Sequence, residues 1–391
     1  MRITGIRFVR VTGRLDKAIG LDEGRPLVPA DVDPAFAARP FAPPAHCFPD
    51  PDGVRRIRAT FVFVDTDEGV SGTSTQIGAD HAETIRKRLS PWLIGRDPLA
   101  IEENWDFMFR LLGGRWLGLA ATLDCALWDI RGKAEGVPVY QLLGGPKQDR
   151  IVPYAGTVGN SVELGRARKL ALQLKQQGFT AQKWYPPCSL GHGPQGMETN
   201  LALVRTLRET VGDDIELMFD AHEGWTPEYA VEMARAMTPY RPRWLEEPVM
   251  ADDLEGYRAV RKAAGFPIAG SEAHSNRWQA LTMLRAGVVD VYQPDEGGTG
   301  GITEIMRIAK MVSDHGKQMV VHCGYLPTMH MVAALPRELC PYYEYLVNWN
   351  EYGQWFYKHK CIPENGTMPL PPGPGLGLEL DEMRIASRED L

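Results

Sequence analysis

Five apolar segments in the second half of the chain each end on an ionisable residue: Ile215-Glu216-Leu217-Met218-Phe219-Asp220, Trp244-Leu245-Glu246, Ile268-Ala269-Gly270-Ser271-Glu272, Val291-Tyr292-Gln293-Pro294-Asp295 and Met319-Val320-Val321-His322. Asp220, Glu246 and Glu272 follow one another at equal steps of 26 residues, as expected if repeating strand-helix units each deliver one carboxylate to the same layer. One acid after a strand is as readily a cap for the next helix; three in step read as a converging set. Converging carboxylates repel and raise one another's pKa unless a cation lies between them. Oxygen-only donors select a hard ion such as Mg²⁺, which keeps positions open for water or substrate oxygens.

Asp295 and His322 end successive strands, so neighbouring strands would set carboxylate against imidazole. Such a pair orients the ring and raises its basicity, whereas a lone strand-end histidine is more often satisfied by a backbone carbonyl. His222 follows Asp220 by two residues and faces the same side just past the strand end. Lys183 and Tyr185 stand in the same relation on an earlier strand, where Lys183 is suited either to neutralise a substrate carboxylate or to take a proton.

The elements that must position these groups are short apolar runs at 151–155, 179–185, 215–219, 243–245, 267–270, 289–292, 318–321 and 344–347. Amphipathic stretches at 161–177, 197–210, 226–238, 252–264, 275–286 and 301–315 separate them. Strand alternating with helix implies parallel strands joined by crossovers. Eight such strands predict a closed (β/α) barrel whose strand ends share one mouth.

Upstream, residues 3–11 and 57–65 alternate and are rich in β-branched and aromatic side chains, and Asp67-Glu68-Gly69 turns the chain into Val70-Ser71-Gly72-Thr73. These predict a small antiparallel sheet. Helical spacing over 80–94, 98–112 and 118–135 makes the first domain α+β. The Pro-rich stretch Gly20 to Gly53 is too long for a simple connector and is read as a functional lid. Arg25 and His46 within it are candidate substrate contacts, and the loop Pro186 to Met197 with His192 is a second place where substrate identity would be written. The expected organisation is a capping domain over 1–148, a barrel over 149–370 and a C-terminal segment over 371–391 that returns to the cap.

With 391 residues, 44% of them hydrophobic and 24% charged, the chain has the composition of an ordinary folded protein with room for a barrel and a companion domain. A formal net charge of -7 argues against a nucleic-acid partner, which requires a clustered basic surface. The six cysteines form no C-x-x-C pair and read as reduced thiols. Without an apolar leader after Met1 or any run of about 18 apolar residues, no membrane association and a cytoplasmic location are expected.

The segment Ala120-Ala121-Thr122-Leu123-Asp124-Cys125-Ala126-Leu127-Trp128-Asp129-Ile130-Arg131-Gly132-Lys133, followed by Pro138 and Leu142-Leu143-Gly144-Gly145, resembles the joint between cap and barrel in the enolase superfamily, in its mandelate racemase-like branch. Further matches are Trp244-Leu245-Glu246-Glu247-Pro248, Gln293-Pro294-Asp295 with Gly300-Gly301-Ile302-Thr303-Glu304, and Pro372-Gly373-Pro374-Gly375-Leu376-Gly377. The likeness covers nearly the whole chain. It implies an α/β fold in which an N-terminal α+β capping domain covers a modified TIM barrel, (β/α)7β. It also implies a bound Mg²⁺ held by Asp220, Glu246 and Glu272, and an Asp295–His322 dyad. Glu246 matches the ligand position, and strand alternation turns Glu247 away. Glu344 is similar to the acid often found on the last strand, where it would lie beside the substrate.

Asp220-Ala221-His222-Glu223 and Pro239-Tyr240-Arg241-Pro242-Arg243-Trp244-Leu245-Glu246-Glu247-Pro248 resemble the galactonate dehydratases of this branch, and other parts resemble its rhamnonate dehydratases. The implied reaction is dehydration of a small sugar acid to a 2-keto-3-deoxy acid through a metal-stabilised enediolate. His322 would be the base and His222 the acid, with Lys183 on the substrate carboxylate and Tyr185 on a hydroxyl or in an auxiliary proton transfer. A homo-oligomer is usual in the family. A racemase or epimerase on the same scaffold is the alternative, but Lys183-Trp184-Tyr185 stands where racemases of the branch have Lys-x-Lys. A ligand-binding descendant without catalysis is a more distant one.

Overall fold

The structure, a computed structural model, describes residues 1–15, 52–74, 77 and 79–391. Arg25, His46 and all but the last two residues of the stretch 20–53 lie outside them. Strand β1 (Ile3–Arg14) pairs antiparallel with β2 (Arg56–Thr66), which pairs with β3 (Ser71–Thr73). The far edge of β1 is covered by Ser387–Asp390, so the end of the chain completes a four-stranded cap sheet.

One face of that sheet packs on the helix Leu117–Glu135, which is apolar on nearly every side. Its two buried acids explain the joint. Both Asp124 oxygens accept from Thr303, one from the backbone N–H and one from the hydroxyl, at the start of the helix Gly301–Asp314. A carboxylate suits a helix N-terminus because it meets unpaired N–H groups and the positive end of the dipole. Asp129 accepts from Thr73 N at 2.8 Å, Leu376 N at 2.8 Å and Lys133 Nζ at 2.6 Å, tying sheet, helix and C-terminal segment to one side chain. Gly375 has φ +68°, and a Cβ there would lie 2.1 Å from Asp129 Oδ1, so only glycine lets the chain pass.

The second sheet has eight parallel strands: β4 (Pro153–Gly156), β5 (Ala181–Trp184), β6 (Glu216–Asp220), β7 (Trp244–Glu246), β8 (Ile268–Gly270), β9 (Val291–Tyr292), β10 (Gln318–Met319) and β11 (Tyr343–Leu346). Their order is β10-β9-β8-β7-β6-β5-β4-β11. All eight coincide with the apolar runs of the sequence. They read as near-continuous apolar runs because they are buried on both faces, with helices outside and a packed interior within. The ends of the sheet meet where Cys323 N donates to the Glu344 carboxylate at 2.8 Å.

Seven helices alternate with these strands among the described residues, giving (β/α)7β under an α+β cap. The seventh, Leu326–Ala334, was not legible in the sequence. All nine of its residues are buried, so it has no polar face and no helical period to read.

Candidate active site

Tyr154, Ala181, Met218, Trp244, Ala269, Val291 and Val320 form a closed apolar layer inside the barrel. Because strand side chains alternate, the next inward position on each strand lies one layer closer to the mouth. That step takes Ala181 to Lys183, Met218 to Asp220, Trp244 to Glu246, Val320 to His322 and Tyr342 to Glu344. Lys183, Asp220, Glu246, His322 and Glu344 therefore rest on an apolar floor, whereas the same step from Ala269 and Val291 reaches Ser271 and Gln293, and Glu272 and Asp295 lie further along the chain.

Lys183 is fully buried at the centre of this layer. Its Nζ lies 2.5 Å from Glu246 Oε1, 2.8 Å from Glu344 Oε1 and 3.5 Å from Asp220 Oδ2. Burial disfavours its charge, but Glu246 and Glu344 more than restore it and hold its pKa well above that of an ordinary lysine. The ammonium lies below the open cleft, in contact with the carboxylates.

On the opposite arc, His322 Nδ1 is 3.1 Å from Asp295 Oδ2, while Nε2 is 3.3 Å from Glu272 Oε2 and 3.6 Å from Glu344 Oε2. Burial works against a charge on the ring, but Cys323, Glu344, Glu272 and Asp295 raise its pKa well above the usual value. Burial also works against the Glu344 carboxylate, which Lys183 and His322 nevertheless bring down to about 2.

The three carboxylates of the 26-residue steps share this mouth in different states. Burial pushes Glu246 up to about 7 against the pull of Lys183, and burial also raises Glu272. Asp220 resists burial through His222 and Lys183 and lies below its ordinary value. Among the described residues, the acid, histidine and cysteine donors that all lie within 4.8 Å of one another are those of Asp295, His322 and Cys323. Asp220, Glu246 and Glu272 do not close to that distance; Lys183 bonds Glu246 and His322 faces Glu272. The donor chemistry still fits a hard divalent ion: all three offer only oxygen, and burial holds two of them toward neutrality, a cost that a cation relieves.

His222 lies beside Asp220, with its backbone N donating to Oδ1 at 2.9 Å and its Nε2 3.8 Å from Oδ2. Its ring centroid is 4.8 Å from that of Tyr185, and burial lowers its pKa. Nε2 is buried without a hydrogen-bond partner among the described residues. Since β6 and β10 are four strands apart in the sheet order, His222 and His322 stand on opposite walls of one cleft of about 420 Å³.

Glu247 differs from its sequence reading: it lines the cleft, and its Oε1 accepts from Glu272 N at 3.1 Å. The cause is its backbone, whose φ of +40° breaks the alternation that would have turned the side chain outward. Positive φ recurs just past other strand ends, at His222, Glu223, Ser271 and Cys323. Strained backbone gathered at one mouth is characteristic of a functional site. Val158, Ala273 and Leu346 also line the cleft and carried no motif, and Glu223, quoted only as the end of Asp220-Ala221-His222-Glu223, joins them. His192 caps a short turn instead, its Nδ1 accepting from Ser189 N.

An eight-stranded (β/α)7β barrel under an α+β cap, with acids at successive strand ends and a His-Asp pair at the mouth, defines the enolase class of fold and site. Residues 166–384 match the family described as Enolase C-terminal domain-like, and residues 52–144 match Mandelate racemase / muconate lactonizing enzyme, N-terminal domain. The chain belongs to the enolase superfamily. It is 31% identical to the D-galactarolactone cycloisomerase of Agrobacterium fabrum over 340 residues, 82% of this chain and 88% of that protein. It is also 31% identical to the D-galactonate dehydratase of Ralstonia nicotianae over 352 residues, 85% of this chain and 91% of that protein. Among solved structures, the 3,6-anhydro-D-galactonate cycloisomerase from Zobellia galactanivorans is similar with a TM-score of 0.77 and 26% identity, covering 99% of this chain and 100% of that one.

Proposed function

We propose that the protein dehydrates a sugar acid, taking the proton next to the carboxylate and expelling the hydroxyl on the adjoining carbon. The observation that carries this reading is the pair of histidines on opposite walls of one acidic cleft. One is backed by Asp295; the other stands beside Asp220 with a ring nitrogen unpartnered.

A proton α to a carboxylate is weakly acidic because its loss places a second negative charge on the carboxyl oxygens. Asp220, Glu246 and Glu272 would hold a divalent ion such as Mg²⁺, which would supply the positive charge that offsets it. Sites of this superfamily work in general with a Lys or His base and bound Mg²⁺. Asp295 holds His322 through Nδ1, leaving Nε2 facing the cleft to accept the α-proton. His222 gives a proton to the departing β-hydroxyl, so the two groups leave as water. The resulting enol tautomerises to a 2-keto-3-deoxy acid. Tyr185, packed against the His222 ring, binds a substrate hydroxyl or assists that transfer.

Lys183 acts from beneath, balancing the charges of Glu246 and Glu344. This placement also weighs against a racemase, which needs a base on each face of the α-carbon. With the neighbouring Lys-x-Lys position occupied by Tyr185, neither residue of that strand offers a free amine. A cycloisomerase, as one similar protein is named, would share the first proton transfer and differ in its product. The test is a library of aldonic and aldaric acids, D-galactonate first, incubated with enzyme and Mg²⁺ and assayed for 2-keto-3-deoxy products. Turnover of at least one aldonate to such a product supports the reading; a lactone-forming or epimerised product across the library overturns it.

A further inference from the structure

We propose that Asp295, His322 and Cys323 form a second, inhibitory metal site at the mouth of the barrel, one that takes a borderline-soft divalent ion of the zinc class. One donor atom from each lies within 4.8 Å of the others, and all three side chains are partly exposed. A four-coordinate zinc-class ion sits about 2.0–2.3 Å from its nitrogen, oxygen and sulfur ligands, which places the ligands roughly 3.3–3.8 Å apart. The group needs to close by at most about 1.5 Å, within the reach of side-chain rotation.

The backbone sets the thiol there. Cys323 is held at φ +62° between its N–H, donating to Glu344 at 2.8 Å, and its carbonyl, accepting from Thr328 Oγ1 at 3.1 Å. Asp295 and His322 are also paired backbone to backbone in a parallel β-bridge, so the other two ligands are held by strand ends. The mouth thus carries two donor sets of different softness. Asp220, Glu246 and Glu272 offer oxygen alone, which suits a hard ion, whereas sulfur, nitrogen and oxygen together suit zinc. Three protein ligands leave the fourth position open to water. On binding, the Cys323 thiol releases its proton to solvent and the sulfur bonds the ion as thiolate. An ion held this way uses a ring nitrogen of His322 and the carboxylate that orients it, so proton abstraction stops. That consequence, unlike the binding itself, rests on His322 being the base.

The experiment is a titration of the Mg²⁺-saturated enzyme with ZnCl₂, reading turnover, and in parallel with CoCl₂, reading the near-ultraviolet sulfur-to-cobalt absorption that only a thiolate ligand produces. The wild type is expected to show the band and to lose turnover. Cys323→Ser is expected to lack the band and to need at least about tenfold more zinc to lose the same fraction of its own Mg²⁺-supported turnover; Cys323→Ala serves as a second variant if the serine form folds poorly. Loss of turnover without a band, or a band that survives both substitutions, overturns the site. A band accompanied by undiminished turnover keeps the metal site and overturns both its inhibitory role and the assignment of His322 as base.

Discussion

Nδ1 of His322 lies 3.1 Å from Oδ2 of Asp295, across the bridge that joins the ends of β9 and β10, and this fixes which nitrogen is left to face the cleft. His322→Asn is therefore expected to abolish both turnover and exchange of the substrate α-proton with deuterated water, by roughly the 10²- to 10⁴-fold of a general base or more. Proton NMR of the substrate in deuterated buffer measures it. Exchange that persists at the wild-type rate points to another base.

His222 faces the same cleft from β6 and is assigned the later step. His222→Asn is expected to retain α-proton exchange while losing elimination, so the two activities separate in one variant. If exchange and product formation both survive, the acid is a different group. If both are lost while the fold is intact, His222 belongs to the first step.

The burial of Lys183 among Glu246, Glu344 and Asp220 makes a prediction about stability. Lys183→Met strands buried carboxylates without their cation, which costs about 3–5 kcal/mol when one partner of a buried pair is removed. Chemical denaturation of metal-free protein measures it. A change under about 1 kcal/mol means that the ion pairs contribute little and Lys183 serves the substrate directly.

At the joint between cap and barrel, Gly375→Ala is expected to destabilise. The left-handed conformation alone costs about 1–2 kcal/mol for a residue with a Cβ, and here that Cβ would press on the Asp129 carboxylate that receives Thr73 and Leu376. A thermal unfolding midpoint equal to that of the wild type contradicts the role given to Asp129.

Much of this was legible in the sequence because its signals are local. The barrel strands are buried on both faces and stand out as apolar runs, and six of the helices between them keep a polar side. The 26-residue steps and the succession of Asp295 and His322 follow from strand-helix repetition. What escaped depends on three-dimensional context. The helix Leu326–Ala334 is buried all round, and Glu247 turns inward only because its backbone leaves the extended region. Alternation put Lys183 on the inner face of β5, but its depth below the cleft is set by the stagger of neighbouring strands, which no single segment records. The partnership of Cys323 with the dyad likewise depends on a left-handed residue just past a strand end.

The proposed proton abstraction requires a cation beside the base. The measurement is α-proton exchange and product formation from D-galactonate, or from whichever aldonate the library identifies, by enzyme stripped with a chelator and then resupplied with Mg²⁺. Both activities should vanish on stripping and return together on addition of the ion. Exchange or turnover that continues unchanged in the stripped enzyme would contradict the account at its centre.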